Sequence, residues 1–292
     1  MFNSYHGSEL YEIIHTTMYI SCALLRCQSN SRIAYILSKD DVRRMVMYTN
    51  TGTGTLQNTE DKRYKDTFLK FIRLPELVRD TYSRAAVYAE RFNAISHYAG
   101  TVLSIFFSGW AFKAISLDFT YAKLISVIVY SFSMIALYTM SGTYHITNGR
   151  VKQIFRVLDH STIFLLIAGC YTPFCAICLW EYPVGKWILA FEWSMAIAGI
   201  GLNLRNMSSR FVKVFSLTAY VVMGWMVVFA MRLLLLILPA SCIIWLAAGG
   251  VCYTVGIIFY ILGKKNFVMH CIWHVWVLVG SVLQFISIAM IL

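Results

Sequence analysis

The sequence predicts an all-α integral membrane protein: a bundle of seven transmembrane helices with its N-terminus inside and its C-terminus outside. Three observations carry that prediction. After residue 90, seven apolar stretches follow one another, each close to the roughly 20 residues a helix needs to cross a hydrocarbon core about 30 Å thick. Charge is scarce: of 292 residues 13% are charged and 59% hydrophobic, and the mean hydropathy is +0.64, whereas a soluble domain carries roughly twice that charge density. The basic residues lie in short segments between the apolar stretches and favour alternate ones, as the positive-inside rule requires.

The spans are expected near residues 92–115, 121–144, 161–180, 187–204, 211–232, 239–262 and 267–292. The fourth is the shortest and contains Glu192; an ionisable group at that depth is normally functional or paired, and no partner for it stands out. Orientation follows from the loops. Those after the second, fourth and sixth spans carry Arg150, Lys152, Arg156, Arg205, Arg210, Lys213, Lys264 and Lys265. The remaining loops and their helix ends carry Lys113, Lys123, Lys186 and Arg232. Eight basic residues against four put the even loops on the cytoplasmic side. The net charge of +11 is thereby explained by topology, and nucleic acid is not an expected partner.

Residues 1–86 read as an N-terminal extension to a seven-helix domain at 87–292. Tyr11 to Cys27 is apolar but interrupted by Glu12, His15, Thr16 and Thr17, too short and too polar for a span. Residues 51–66 read as a flexible polar linker. From Pro75 to Phe92, apolar Leu77, Val78, Tyr82, Ala85, Ala89 and Phe92 recur at helical spacing, which predicts an amphipathic approach helix on the inner membrane surface. The eight cysteines lie mostly within apolar runs, where thiols pack as small hydrophobes. Cys175 and Cys178 form a CxxC without a second pair, and are read as packing residues.

The chemistry concentrates in a few polar residues. His270 and His274 are four apart at the start of the seventh span, so their rings share one helix face and can chelate one metal ion. His145 ends the second span, which runs outside to inside, and Asp159 begins the third, which starts inside. All four therefore meet at one depth on the cytoplasmic side, where imidazoles and a carboxylate are costly to desolvate unless they pair or coordinate. Three neutral imidazoles leave a fourth position open, the arrangement of catalytic zinc. Asp159 then acts through water or a ligand's N–H; its alternative is an N-cap, with Ser161 as the other candidate cap. Ser141, one turn before His145, either contacts that water or bonds back to its helix. Glu90, Asn93, Ser96 and His97 form a second polar cluster at the inner end of the first span, expected to brace the site or join helices by hydrogen bonds, with His97 as a fourth ligand in the alternative. His160 should point about 100° away from Asp159, and it is excluded together with His6 and His15.

At these residues the sequence closely resembles the hemolysin III and PAQR family, which includes bacterial hemolysin III-like proteins and the adiponectin and progestin receptors. Glu90-Arg-Phe-Asn93-Ala-Ile-Ser96-His97 is similar to the first family motif, Ser141-Gly-Thr-Tyr-His145 with Leu158-Asp159-His160-Ser161 to the second, and His270-Cys-Ile-Trp-His274 to the third. Ile167-Ala-Gly169-Cys-Tyr171-Thr172-Pro173-Phe174 is similar to the bacterial branch. The resemblance covers residues 86–292. It implies an N-in, C-out bundle with zinc on the residues matching His145, His270 and His274 and with Asp159 acting through water. The family's relation to alkaline ceramidases implies hydrolysis of lipid amides, with membrane lipids and a ceramide-like substrate as partners and no protein partner indicated. The extension at 1–86 departs from the compact bacterial pattern and lacks an evident receptor-style regulatory domain, which argues against hormone binding.

Three functions follow as expectations. One is a zinc-dependent hydrolase of the cell or inner membrane, concerned with membrane lipid homeostasis. Another is a receptor or sensor in which zinc only fastens helices. The third is a cytolytic pore; seven long spans that require translocon insertion, and no recognisable cleavable signal, speak against it.

Overall fold

The computed structural model describes the backbone of residues 59–292 and the side chains from Thr81 onward; the apolar stretch at Tyr11 to Cys27, His6, His15 and the first half of the expected linker lie outside the described residues. The chain divides into two units, Met1–Tyr88 and Ala89–Leu292, and the bundle is the second.

The helices are α1 (Thr59–Ile115), α2 (Tyr121–Ile146), α3 (Gly149–Pro173, extended by a π-helical turn, Phe174–Cys178), α4 (Pro183–Asn206), α5 (Arg210–Trp225), α6 (Val227–Ile237), α7 (Ala240–Gly263) and α8 (Phe267–Ala289). Among the described residues, seven spans are long and apolar enough to cross a membrane, α5 and α6 together forming the fifth. Their outward residues are large and apolar: Ile95 is 69% exposed, Phe229 74% and Leu236 83%. That is a surface suited to acyl chains rather than water.

Three expectations about element boundaries are corrected. Residues 59–66, expected as linker, are helical, and the approach helix expected at Pro75 to Phe92 falls within α1 without a break before the first span. The third span begins at Gly149 rather than near residue 161. Arg150, Lys152, Gln153 and Arg156 lower the hydropathy of its first turns, yet Arg150, Gln153 and Arg156 are exposed, and such side chains can keep their heads in water while the backbone continues as helix. The fifth span is interrupted at Met226. Tyr171 of α3 clamps the interruption: its hydroxyl donates to Gly224 O at 3.1 Å and accepts from Val227 N–H at 2.9 Å. Backbone groups freed from a helix ladder in lipid need such a partner.

Small residues let the helices approach. A Cβ on Gly169 would collide with Ser133 of α2, and one on Gly199 with the ring of Phe164, so α2 packs on α3 and α3 on α4 at close range. Hydrogen bonds tie α2, α7 and α8 in the interior: Tyr138 Oη donates to Ser281 Oγ at 2.7 Å, Tyr253 Oη and Ser281 Oγ lie 2.8 Å apart, and Gln284 Nε2 donates to Leu246 O at 3.2 Å. Cys175 packs in this core, with Cys178 against it.

Two short connections set the site. α2 ends at Ile146 and α3 begins at Gly149, whose φ is +60°, a left-handed turn that glycine tolerates. At the same end Asn266 caps α8, its side chain accepting from Val268 N–H at 2.9 Å. The last turn of α2 and the first turns of α8 are thereby juxtaposed.

Candidate metal centre

His145, His270 and His274 each present one ligand nitrogen, and the three atoms lie within 4.8 Å of one another. This is the metal-capable cluster among the described residues. His270 and His274 face each other through their Nε2 atoms at 3.2 Å, the outcome of the four-residue spacing on α8. A Cβ on Gly263 would stand 3.0 Å from the backbone of His270, so the end of α7 closes tightly over this turn. His145 and His274 are buried, and His270 is half-buried.

The tautomer of His145 is set from behind. Its Nδ1 lies 3.3 Å from Glu90 Oε2 of α1, which also accepts from Lys152 Nζ of α3 at 2.5 Å. With the N–H on Nδ1 donated to the carboxylate, Nε2 carries a lone pair, and that atom is buried with no protein partner. A carboxylate behind an imidazole whose other nitrogen is free is the arrangement that orients histidine ligands in metal sites. Glu90 thus joins α1 to α2 and α3 through these two contacts. Cys271, beside His270, directs its thiol at Ala89 O at 3.8 Å, which links α8 to α1.

Asp159 stands outside the histidine cluster. It lines a cavity of about 30 Å³ together with His97, Ser141, His160, His270 and His274, a size that takes one water or small ion. The Ser141 hydroxyl interacts with the Asp159 carboxylate, which favours the cavity-facing reading of Ser141 over a bond back to its own helix. The capping alternative for Asp159 is corrected: α3 starts at Gly149, so Asp159 lies in a helix interior where the backbone N–H groups are already bonded. Ser161 is no cap either, since its buried hydroxyl has no protein partner.

His160 was excluded by the 100° offset, and here the structure differs. Its Nδ1 lies 3.3 Å from Asp159 Oδ2 and 3.0 Å from Arg156 O, and its ring lines the cavity. The angular rule locates Cα–Cβ directions, whereas an imidazole extends far enough along the helix to reach a neighbouring carboxylate. Tyr260 of α7 and Trp273 of α8 also line the cavity; Trp273 sits within the His270 to His274 motif, and only the packing of α7 on α8 reveals Tyr260. Asn93 and His97 are buried at 2% and 3% exposure, but the expected bracing by hydrogen bonds is absent at the Asn93 Oδ1 and at both ring nitrogens of His97.

The small cavity shares Leu137, Ile163, Tyr260, Trp273 and Val277 with a much larger one of about 290 Å³. The larger walls come mainly from α3, α5, α6, α7 and α8, with Leu137 of α2 and Ile188 of α4, and are almost wholly apolar. Val228 and Val251 line it and are 52% and 60% exposed on the outer surface, so it opens sideways between α6 and α7.

Comparison with known proteins follows the same residues. The chain matches the profile of haemolysin-III related proteins over residues 86–285. It is 39% identical to Hemolysin-3 of Bacillus cereus over 197 residues, covering 67% of this chain and 88% of that protein. With the Hemolysin-3 homolog of Bacillus subtilis strain 168 it shares 38% identity over 202 residues, 67% of this chain and 91% of the relative. A more distant relative is the human monocyte to macrophage differentiation factor, 26% identical over 174 residues, 55% of this chain and 67% of that protein. No solved structure matches. The matched region takes in most of the first and last spans and all of the five between, the three histidines and the carboxylates behind and beside them, and the chain belongs to the haemolysin-III related family.

Proposed function

We propose that this membrane protein is a zinc-dependent hydrolase of lipid amides, of the kind a ceramide exemplifies. The observation that carries the reading is the continuity of three converging imidazoles, a water-sized cavity holding Asp159 and Ser141, and an apolar chamber open to lipid. His145, His270 and His274 would hold the zinc, a borderline-soft ion suited to three imidazole nitrogens. The chemistry supplied by zinc when bound is Lewis acidity, which acidifies water and polarises a carbonyl. Asp159 accepts the proton of the attacking water as general base. Ser141 holds the Asp159 carboxylate toward the cavity, and the larger chamber sequesters the acyl chain so that the carbonyl reaches the small one.

The same reading places the site on the cytoplasmic side of the cell or inner membrane, with the N-terminus inside. Support comes from Arg150, Lys152, Arg156, Arg205, Arg210, Lys213, Lys264 and Lys265, which flank the helix ends nearest the site.

The test is purified full-length protein in lipid nanodiscs, assayed for zinc by elemental analysis and for fatty acid release from ceramide. About one zinc per chain, lost in a His145→Ala, His270→Ala, His274→Ala triple variant, together with turnover in the parent alone, is the expected result. Full zinc with no release from ceramide or other N-acyl lipids would overturn the hydrolase and leave a zinc-fastened sensor.

A further inference from the structure

Among the residues around the cavity, His97 leaves both of its ring nitrogens without a hydrogen-bond partner. It lies on α1 in register with Glu90 and Asn93, at spacings of three and seven residues that place all three on one helix face. Its side chain is 3% exposed, and neither ring nitrogen has a protein partner. Leaving a buried donor or acceptor unmade costs about 1–3 kcal/mol, and a neutral imidazole presents one of each. Two rings flank it. The ring lies against His274 at a tilt of 50° with centroids 3.9 Å apart, and meets Tyr138 edge-on at 5.1 Å. Tyr138 spends its hydroxyl on Ser281 Oγ and Val277 O. His97 also stands outside the three ligand atoms that converge. What remains in reach is the cavity itself, which His97 lines together with Asp159 of α3 and Ser141 of α2.

We propose that His97 donates a hydrogen bond to the carbonyl oxygen of a lipid amide whose carbonyl reaches this cavity from the larger apolar chamber, and so acts as a substrate-contacting residue rather than a brace or a metal ligand. The proposal rests on the hydrolase reading above. In the reaction, the water oxygen bonds to the carbonyl carbon, its proton passes to Asp159, and the C=O electron pair moves onto the carbonyl oxygen. That oxygen gains charge and draws more strongly on the His97 N–H, with no proton transferred from the ring. The C–N bond then breaks, its electron pair leaves on nitrogen, and the amine takes up the proton from Asp159. A preorganised donor at a developing oxyanion typically contributes 10²–10³-fold in kcat. The buried position of His97 provides that preorganisation.

The experiment compares the parent with His97→Gln, which keeps an N–H donor, and His97→Phe, which keeps a ring but no donor, in full-length protein with Tm checked. His97→Leu stands in if the phenylalanine variant does not fold. Expected for His97→Phe are parental zinc content, KM within about threefold, and kcat down roughly 100-fold, with His97→Gln regaining at least about tenfold of the loss. Parental kcat in His97→Phe, loss of zinc, or equal loss in both variants would overturn the donor role. If the parent itself releases no fatty acid, the hydrolase reading fails and His97 is tested by ceramide binding, read through tryptophan fluorescence because Trp273 lines the cavity. Affinity weakened about tenfold in His97→Phe and kept in His97→Gln then supports the contact; equal affinity in all three proteins overturns it.

Discussion

At the scale of single residues, Glu90 shows how an acidic side chain earns a place at a membrane-protein site. Its Oε2 meets both His145 and Lys152, but its side chain is 43% exposed, so the lysine contact is a screened ion pair of small worth. The orientation of His145 is the larger effect, because partners behind a metal-binding imidazole typically govern 10–100-fold in affinity. Glu90→Gln is therefore expected to weaken zinc binding about 10–100-fold in a chelator competition, while Lys152→Met changes it by less than about threefold. Equal affinity in Glu90→Gln and the parent would show the contact to be incidental. Glu192 is the opposite case. It is 0% exposed on α4 and neither carboxylate oxygen has a protein partner; its surroundings include Cys170, Tyr171 and Cys175 of the third span. A polar group so placed opposes folding unless it is compensated. Glu192→Met, of similar length and apolar, is expected to match or exceed the parent in Tm. A fall of more than about 1 kcal/mol in stability, a few degrees at this size, would reveal a compensating interaction.

At the scale of elements, α3 decides the chemistry of Asp159. Sequence hydropathy placed the start of this helix near Asp159 because the basic turn from Arg150 to Arg156 resembles a loop in composition; only the exposure of Arg150 and Arg156 along a continuing helix shows otherwise. With the helix running from Gly149, Asp159 has no capping work, and its charge faces Ser141, His160 and the cavity. Asp159→Asn keeps the size and removes the charge. Zinc content is expected to stay near parental while ceramide turnover falls by 10²–10⁴-fold, the usual cost of a lost general base. Retained zinc with unchanged turnover would refute the catalytic role, and complete loss of zinc would make Asp159 a direct ligand. The ends of α2 and α8 were legible for the converse reason: Thr147-Asn148-Gly149 and Lys264-Lys265-Asn266 are polar breaks between apolar runs, so His145, His270 and His274 could be set at one depth from spacing alone. The break at Met226 was not legible, since both flanks are uniformly apolar and the hydroxyl that permits it belongs to Tyr171 on a different helix. His160 and Tyr260 were missed likewise, because side-chain reach and the approach of α7 are tertiary facts.

At the scale of the whole molecule, the three histidines join the second span to the last, and the metal would act as a cross-link between helices far apart in the chain. Without it, these two helices are joined deeper in the bundle by the hydroxyl network of Tyr138 and Ser281, to which Tyr253 of α7 adds, and by the apolar core that contains Leu137, Tyr138, Val277 and Phe285. A ligand that binds only the folded state stabilises it by RT ln(1 + [L]/Kd), about 2.7 kcal/mol at a hundredfold excess over Kd. For a domain of this size each kcal/mol moves Tm by roughly 2–4 °C. Stripping zinc with a chelator is therefore expected to lower the Tm of the parent by about 5–10 °C, and readdition should restore it. The triple alanine variant separates this from any direct effect of the chelator on lipid or detergent: lacking all three imidazoles, it should melt near the stripped parent and respond to neither treatment. A parent whose Tm ignores chelation while its zinc is demonstrably removed would mean that the bundle end is held by helix packing alone, and the metal would then serve chemistry without serving the fold.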